Sequence, residues 1–213
     1  MNATRIIAIR HGETDWNVGA RIQGHTDIAL NSTGHRQARQ MAAALADEPL
    51  HHIYSSDLQR ALATAQALAD ANGAKLTIDA RLRERCFGSY EGQRFADVEA
   101  AQPQAALRWR KRDPAFAPPS GESLQALQAR IAHVVHALAS QHMGQQIALV
   151  AHGGVLDTLY RLATRQDLQA PRTWELANTS INRLLWTPDS GLALVGWGDT
   201  SHLQQTGMDE LTN

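Results

Sequence analysis

The sequence is poor in cysteine and carries no excess charge of either sign. A single cysteine, Cys86, stands among 213 residues, which excludes an intrachain disulfide and an all-cysteine metal site. Twenty basic and 21 acidic side chains leave a formal net charge of -1, without the basic excess typical of nucleic-acid-binding domains. Any anion must therefore be recognised by a local cluster of residues.

Long apolar runs are also missing. The first ten residues form a short apolar stretch broken by charge, which differs from the hydrophobic region of a secretory signal, and no segment is long enough for a membrane helix. We therefore expect a cytoplasmic protein that binds neither membranes nor nucleic acid. With 43% hydrophobic residues, the chain can bury one large core, so we expect a single domain over residues 1–213, as a monomer or homodimer.

Hydrophobic patterning predicts alternating strands and helices. Continuous aliphatic runs at 6–9 and 147–150 are typical of strands buried on both faces, and shorter strands are expected at 53–54, 76–78, 181–186 and 192–197. Helices are expected from Ser32 or Thr33, after the cap cluster at 55–57, within 93–111 with either a new start or a kink at Pro103, from Glu122-Ser123, and after 153. This order indicates an α/β protein: a three-layer α/β/α sandwich around a mostly parallel, mixed sheet. Residues 199–213 are expected to be a loose tail.

The two aliphatic runs end in the same short motif. His11-Gly12 follows the first strand and His152-Gly153 follows the other, each after one intervening residue. Ligands of open α/β sheets bind beyond the carboxyl ends of the strands. If the two strands are parallel neighbours, their imidazoles come together at that edge.

A third group adds positive charge. Arg60 lies three residues after the cap candidate Asp57, in the first turn of a helix that follows another strand. A helix N-terminus offers backbone donors to an anion, and guanidinium groups suit phosphate oxygens. One phosphate can thus be contacted by four side chains: Arg10, Arg60, His11 and His152.

At this point the sequence resembles the histidine phosphatase superfamily, which includes the cofactor-dependent phosphoglycerate mutases. The resemblance covers roughly residues 4–198 and rests on blocks in the right order: Arg10-His11-Gly12-Glu13-Thr14 with Asn17, Gln23-Gly24, Leu30-Asn31 before Gly34, Ser55-Ser56-Asp57-Leu58, Arg60-Ala61, Thr64-Ala65, Leu82, Glu84, Phe87-Gly88, Glu91-Gly92, Ser120-Gly121-Glu122-Ser123 and Val150-Ala151-His152-Gly153-Gly154.

The resemblance implies a phosphoglycerate mutase-like fold and assigns roles to these residues. His11 becomes phosphorylated, Glu84 protonates the leaving oxygen, and the phosphate is held by a set consisting of Arg10, Asn17, Gln23, Gly24, Arg60, His152 and Gly153. The cationic neighbours disfavour protonation of His11 and keep its lone pair available. Two arginines and a second histidine can stabilise the charge of a phosphoryl transition state, so neither metal nor cofactor is expected.

Three functions remain open at this stage. The first is hydrolysis of a small phosphate ester, favoured by the block at 120–123. The second is a phosphoglycerate mutase, which would need 2,3-bisphosphoglycerate as phosphoryl donor. Arg110, Lys111 and Arg112 lie near where mutases place substrate-binding arginines. The third is a non-catalytic phospho-ligand binding module, which the presence of His11 and Glu84 disfavours.

Single residues also have alternative interpretations. Glu84 can be a surface carboxylate paired with the flanking Arg83 or Arg85. Residues 109–112 form a basic cluster, which is either a solvated helix end or part of the pocket. His133 and His136 have metal-ligand spacing, but a solvated helix face is favoured, and Cys86 lacks the arginine spacing of a cysteine-dependent phosphatase.

Overall fold

A six-stranded mixed sheet forms the centre of the protein. The computed structural model describes residues 3–204. The strands are β1 (Thr4–Arg10), β2 (His52–Ser55), β3 (Lys75–Ile78), β4 (Gln146–Ala151), β5 (Ile181–Thr187) and β6 (Gly191–Asp199). Their spatial order is β3-β2-β4-β1-β5-β6; the first four are mutually parallel and β5 is antiparallel to both of its neighbours. The predicted mixed, mostly parallel sheet is confirmed.

Helices cover both faces of this sheet. Within residues 3–204 the helices are α1 (Asp15–Val18), α2 (Ser32–Ala44), α3 (Gln59–Asn72), α4 (Phe95–Ala101), α5 (Pro103–Arg110), α6 (Leu124–Ser140) and α7 (Gly153–Thr164), of which α2, α3, α6 and α7 pack on the sheet. One core joins α2 and α3 to the sheet through residues such as Met41, Leu68 and Ile9. The other joins α6 and α7 through residues such as Ile131 and Leu156. The three-layer α/β/α sandwich is thereby confirmed.

Two helix starts differ from the sequence prediction. Of the two alternatives at Pro103, the structure shows a new helix, α5, and not a kink. However, the cap of α2 is Asn31, whose Oδ1 accepts from Gly34 N at 2.8 Å, and not Ser32 or Thr33. The residue before α3 is Leu58, whose side chain has no acceptor, and the predicted cap residue Asp57 pairs with Arg83. The helix starts therefore depend on tertiary contacts as well as on the local preference of a residue for the cap position.

The expected loose tail is wrong for its first part. Strand β6 continues to Asp199, and Ser201–Leu203 form a turn of 3-10 helix in which His202 is buried. The remainder of the predicted tail, 205–213, lies outside the described residues. Within residues 3–204, no helix is long and apolar enough to cross a membrane.

Candidate active site

The carboxyl ends of β1 and β4 bring His11 and His152 together. The strands are hydrogen-bonded neighbours with Arg10 opposite Ala151, and His11 N donates to Ala151 O at 3.0 Å. Both imidazoles are buried, and their ring centroids lie 5.2 Å apart. This is the juxtaposition that the repeated His-Gly motif predicts.

The environment of His11 fixes its tautomer and its charge. Nδ1 lies 2.7 Å from Gly12 O, a carbonyl that can only accept, so Nδ1 carries the proton and Nε2 keeps the lone pair. Burial and the nearby Arg10 and Arg60 hold the pKa of His11 well below its usual value, although the bond to Gly12 O acts the other way. A neutral imidazole with a free Nε2 is a nucleophile.

A close backbone approach holds the turn after β1. A Cβ on Gly12 would lie 2.6 Å from Gly34 O, so only glycine fits there. Gly12 N donates to Thr64 Oγ1 at 3.0 Å, and Asn178 Nδ2 donates to His11 O at 2.8 Å. Hydrogen bonds from Gly12 and to His11 O therefore hold the backbone of the nucleophile in place.

Two arginines and His152, which lie near His11, have buried nitrogen atoms without a hydrogen-bond partner. Arg60 is fully buried; its Nη1 donates to Thr26 O at 2.9 Å and its Nη2 to Gly24 O at 2.7 Å. Arg10 Nη1 donates to Leu176 O. Among the described residues, Nε of Arg10, Nε of Arg60 and both ring nitrogens of His152 are buried without a partner. Buried polar atoms are nearly always satisfied, so orphaned atoms around one point indicate a binding site for an anion.

The other predicted phosphate ligands lie around this cluster. Asn17, the third residue of α1, accepts at Oδ1 from Thr14 N at 3.0 Å, and Gln23 Oε1 is buried without a partner among the described residues. Gly24 has φ +56° and its carbonyl binds Arg60. A Cβ on Gly153, the first residue of α7, would lie 3.7 Å from both Arg10 Nε and Glu84 Oε2.

Glu84 lies beside the two histidine-bearing strand ends and not on the surface as an ion pair. Both carboxylate oxygens accept from Gly154 N at 3.0 Å, and Oε1 also accepts from Arg85 N at 2.7 Å. The flanking arginines bind elsewhere: Arg83 pairs with Asp57, and the Arg85 side chain donates to the carbonyls of Glu122 and Phe116. The surface-carboxylate interpretation of Glu84 is wrong.

A cavity of about 350 Å³ opens next to Arg10 and Gly153. It is lined by Arg10, Arg85, Phe87, Trp109, Arg112, Leu124, Leu127, Gly153, Gly154, Asp157, Arg172 and Leu176. The basic cluster at 109–112 is thus divided. Trp109 and Arg112 line the cavity, whereas Arg110 pairs with Glu99 outside it. Trp109 and Arg112 are thus part of the pocket, as one interpretation of the cluster predicts, and Arg110 belongs to a solvated helix end, as the other predicts.

Sequence reasoning missed two of the cavity arginines. The buried Arg85 follows Glu84, and Arg172 lies on the segment between α7 and β5; neither belongs to a recognisable local pattern. Burial lowers the pKa of Arg85 to about 10 against the opposing effect of Glu84 and Glu122. Asn178 and Thr64, which hold the turn at His11, were not assigned this task either.

Cys86 and the two histidines of α6 are the remaining candidates. The side chain of Cys86 is partly exposed and its Sγ contacts Ser120 O at 3.6 Å. His133 and His136 lie on α6, and no group of three or more histidine, cysteine, aspartate or glutamate side chains within 3–204 is arranged to hold a metal ion.

Known proteins of one family resemble this chain in sequence and in fold. The model of the histidine phosphatase superfamily (branch 1) matches residues 6–200. The chain is 37% identical over 206 residues to the phosphoglycerate mutase-like protein 4 of Arabidopsis thaliana, covering 95% of this chain and 88% of that one. It is 40% identical over 166 residues to the glucosyl-3-phosphoglycerate phosphatase of Mycolicibacterium vanbaalenii, covering 75% and 73% of the two chains. The structure of a mycobacterial glucosyl-3-phosphoglycerate phosphatase superposes with a TM-score of 0.84 at 33% identity, covering 93% and 100%. The chain belongs to the histidine phosphatase superfamily.

Proposed function

We propose that the protein is a phosphomonoester hydrolase that works through a phosphohistidine at His11. The observation that carries this proposal is the set of buried, unpaired donors on Arg10, Arg60 and His152 around a neutral His11. Phosphoryl transfer depends on positioning and on stabilising charge at the equatorial oxygens, and this cluster supplies both. Asn17, Gln23, Gly24 and Gly153 are proposed to complete the phosphate contacts.

The first half-reaction forms the phosphoenzyme. Nε2 of His11 attacks phosphorus while the bond to the ester oxygen breaks, and the leaving oxygen takes the proton of the Glu84 carboxyl group. Arg10, Arg60 and His152 hold the three equatorial oxygens as charge spreads over them. The phosphoryl group then resides on Nε2, and Glu84 is a carboxylate.

The second half-reaction returns the enzyme to its starting state. The Glu84 carboxylate removes a proton from water, whose oxygen attacks phosphorus as the bond to Nε2 breaks and its electron pair returns to the imidazole. Glu84 is again protonated, and inorganic phosphate is released. A group that acts as acid and then as base needs to lie beside the scissile bond, where the Gly154 amide holds this carboxylate.

The substrate class is proposed from the adjoining cavity. Arg85, Arg112 and Arg172 add three guanidinium groups beyond the phosphate ligands, against the single carboxylate of Asp157, which already pairs with Arg112. This excess of positive charge suits a small phosphate monoester that carries a second acidic group. The apolar wall of Phe87, Trp109 and leucines limits the remainder of the substrate to a small body.

A mutase is the second candidate, because Arg112 lines the cavity where a phosphoglycerate would bind. The phosphoryl group of His11 would then return to the substrate, with 2,3-bisphosphoglycerate as the initial donor. One purified sample assayed for phosphate release and for interconversion of 2- and 3-phosphoglycerate separates the two. We expect phosphate release to dominate; interconversion without release would replace the hydrolase by the mutase.

We further propose that the reaction needs no metal ion or organic cofactor, since the arginines supply the positive charge, and that the enzyme works in the cytoplasm as a monomer or homodimer. The lone Cys86 suits a reducing compartment.

A further inference from the structure

The direction of the Arg60 guanidinium group is set by a short loop. Its Nη1 and Nη2 donate to the carbonyl oxygens of Thr26 and Gly24, which leaves Nε for a ligand. Arg60 forms no ion pair with any residue in 3–204. A shift of these two carbonyl oxygens would therefore change the direction of the guanidinium group.

The same loop is held by one carboxylate. Oε1 of Glu91 accepts from His25 N at 2.9 Å and from Phe87 N at 3.0 Å. Oε2 accepts from Thr26 N at 2.8 Å and from Thr26 Oγ1 at 2.7 Å. Four donors on two oxygens fix both the position and the orientation of the loop relative to the carboxylate.

The loop backbone lies close against this carboxylate. Gly24 has φ +56°, and a Cβ there would collide with the Glu91 carboxylate, so the loop approaches as closely as a glycine permits. Burial acts to raise the pKa of Glu91, but the bonds from His25, Thr26 and Phe87 prevail and the pKa is lowered. The group is thus a carboxylate at neutral pH.

The carboxylate also connects the loop to the segment that bears Glu84. Phe87 lies three residues after Glu84, and His25 Nε2 lies 2.8 Å from Glu84 O. One side chain therefore sets the relative position of a phosphate ligand and of the segment of the proposed proton donor.

We propose that Glu91 is a positioning residue, whose carboxylate holds the loop at 24–26 so that its carbonyl oxygens orient Arg60 towards the phosphoryl group. The proposal rests on the proposed function, because it takes Arg60 as a phosphate ligand. Glu91 itself touches no reacting atom; it acts through the loop.

The test is the binding of inorganic phosphate, measured by titration calorimetry on the full chain, with Glu91→Gln as the main variant. An amide has one acceptor oxygen, and its NH₂ group would face N–H donors where the second oxygen now lies. We expect the Kd for phosphate to rise about tenfold, as for one misaligned charge-assisted hydrogen bond. The matched control is Glu48→Gln, since Glu48 also accepts two side-chain bonds, from Gln146 and Arg183, away from the site. Its Kd should stay at the wild-type value.

A double-mutant cycle separates positioning from general structural support. In an Arg60→Met background, Glu91→Gln should change the Kd by less than about twofold, because the group it orients is gone. An equal loss in both backgrounds, or no loss with Arg60 present, would overturn the proposal. If Glu91→Gln does not fold, Thr26→Val, which removes one of the four bonds, decides by the same comparison. A several-fold rise only with Arg60 present supports the proposal, and an unchanged Kd refutes it.

This readout is independent of turnover. An enzyme that binds phosphate as described but forms no phosphohistidine would overturn the proposed function and leave the role of Glu91 intact. Conversely, a phosphohistidine enzyme in which Glu91→Gln binds phosphate normally would leave the function standing and refute the positioning role.

Discussion

The most exacting prediction concerns a methyl group added next to Glu84. Gly154 is the second residue of α7, and its amide holds both oxygens of the Glu84 carboxylate. A Cβ at this position would overlap Oε1 of Glu84 and lie 3.3 Å from its Cδ and 3.5 Å from Leu127 Cδ2. In Gly154→Ala the carboxylate must therefore move, by roughly 1 Å, and such a displacement of a catalytic group costs about 10²-fold in rate.

Folding should be nearly unaffected by the same change. Gly154 does not have a positive φ, alanine is favoured over glycine in a helix by about 1 kcal/mol, and the displaced atoms are the end of a flexible side chain. We expect a Tm close to that of the wild type, together with a kcat about 10²-fold lower for phenyl phosphate. The loss should be smaller for p-nitrophenyl phosphate, whose leaving group needs less protonation.

Gly196→Ala is the matched control, because Gly196 has a negative φ and nothing lies within 4 Å of the added Cβ. Its rates with both esters should equal those of the wild type. Equal losses with both esters in Gly154→Ala, or wild-type rates in that variant, would refute the placement of Glu84 as proton donor.

Three further predictions are independent of that variant. Arg112→Met should reduce the kcat/KM preference for 3-phosphoglycerate over glycerol 3-phosphate by about tenfold. Arg110→Met, which removes the neighbouring exposed ion pair, should leave this preference unchanged. Equal effects of the two variants would refute the proposal that the cavity binds a second acidic group. Burial and nearby cations hold the pKa values of His11 and His152 well below that of an unfolded histidine, about 6.5, so the folded state takes up these protons at lower pH than the unfolded chain. The free energy of unfolding should therefore be highest above pH 6.5 and fall as the pH drops below it, less steeply in His152→Asn; an identical slope in that variant contradicts the assignment. Activity should survive EDTA, and a loss reversed only by a divalent metal would overturn the metal-free proposal.

The strands and the central pair of histidines could be predicted because their signals are local. Aliphatic runs at β1 and β4 end in the same His-Gly motif, and a parallel sheet places such ends at one edge. A new helix or a kink at Pro103 could be predicted from the missing backbone donor of proline.

Features set by distant partners could not be predicted. Asp57 looks like a helix cap, but it binds Arg83, 26 residues further along. The contribution of Arg85 and Arg172 to the cavity depends on how loops meet above the sheet, which no local pattern encodes. His202 is buried in the expected tail because its 3-10 turn packs near α2, and that packing is again non-local.

The central claim is that His11 carries the phosphoryl group. Rapid acid-free quenching during turnover of a ³²P-labelled phosphomonoester, followed by peptide mapping, tests it most directly. We expect an acid-labile, base-stable label on the peptide containing His11, and none in His11→Asn. A label on any other residue, or one that persists in His11→Asn, would contradict the mechanism.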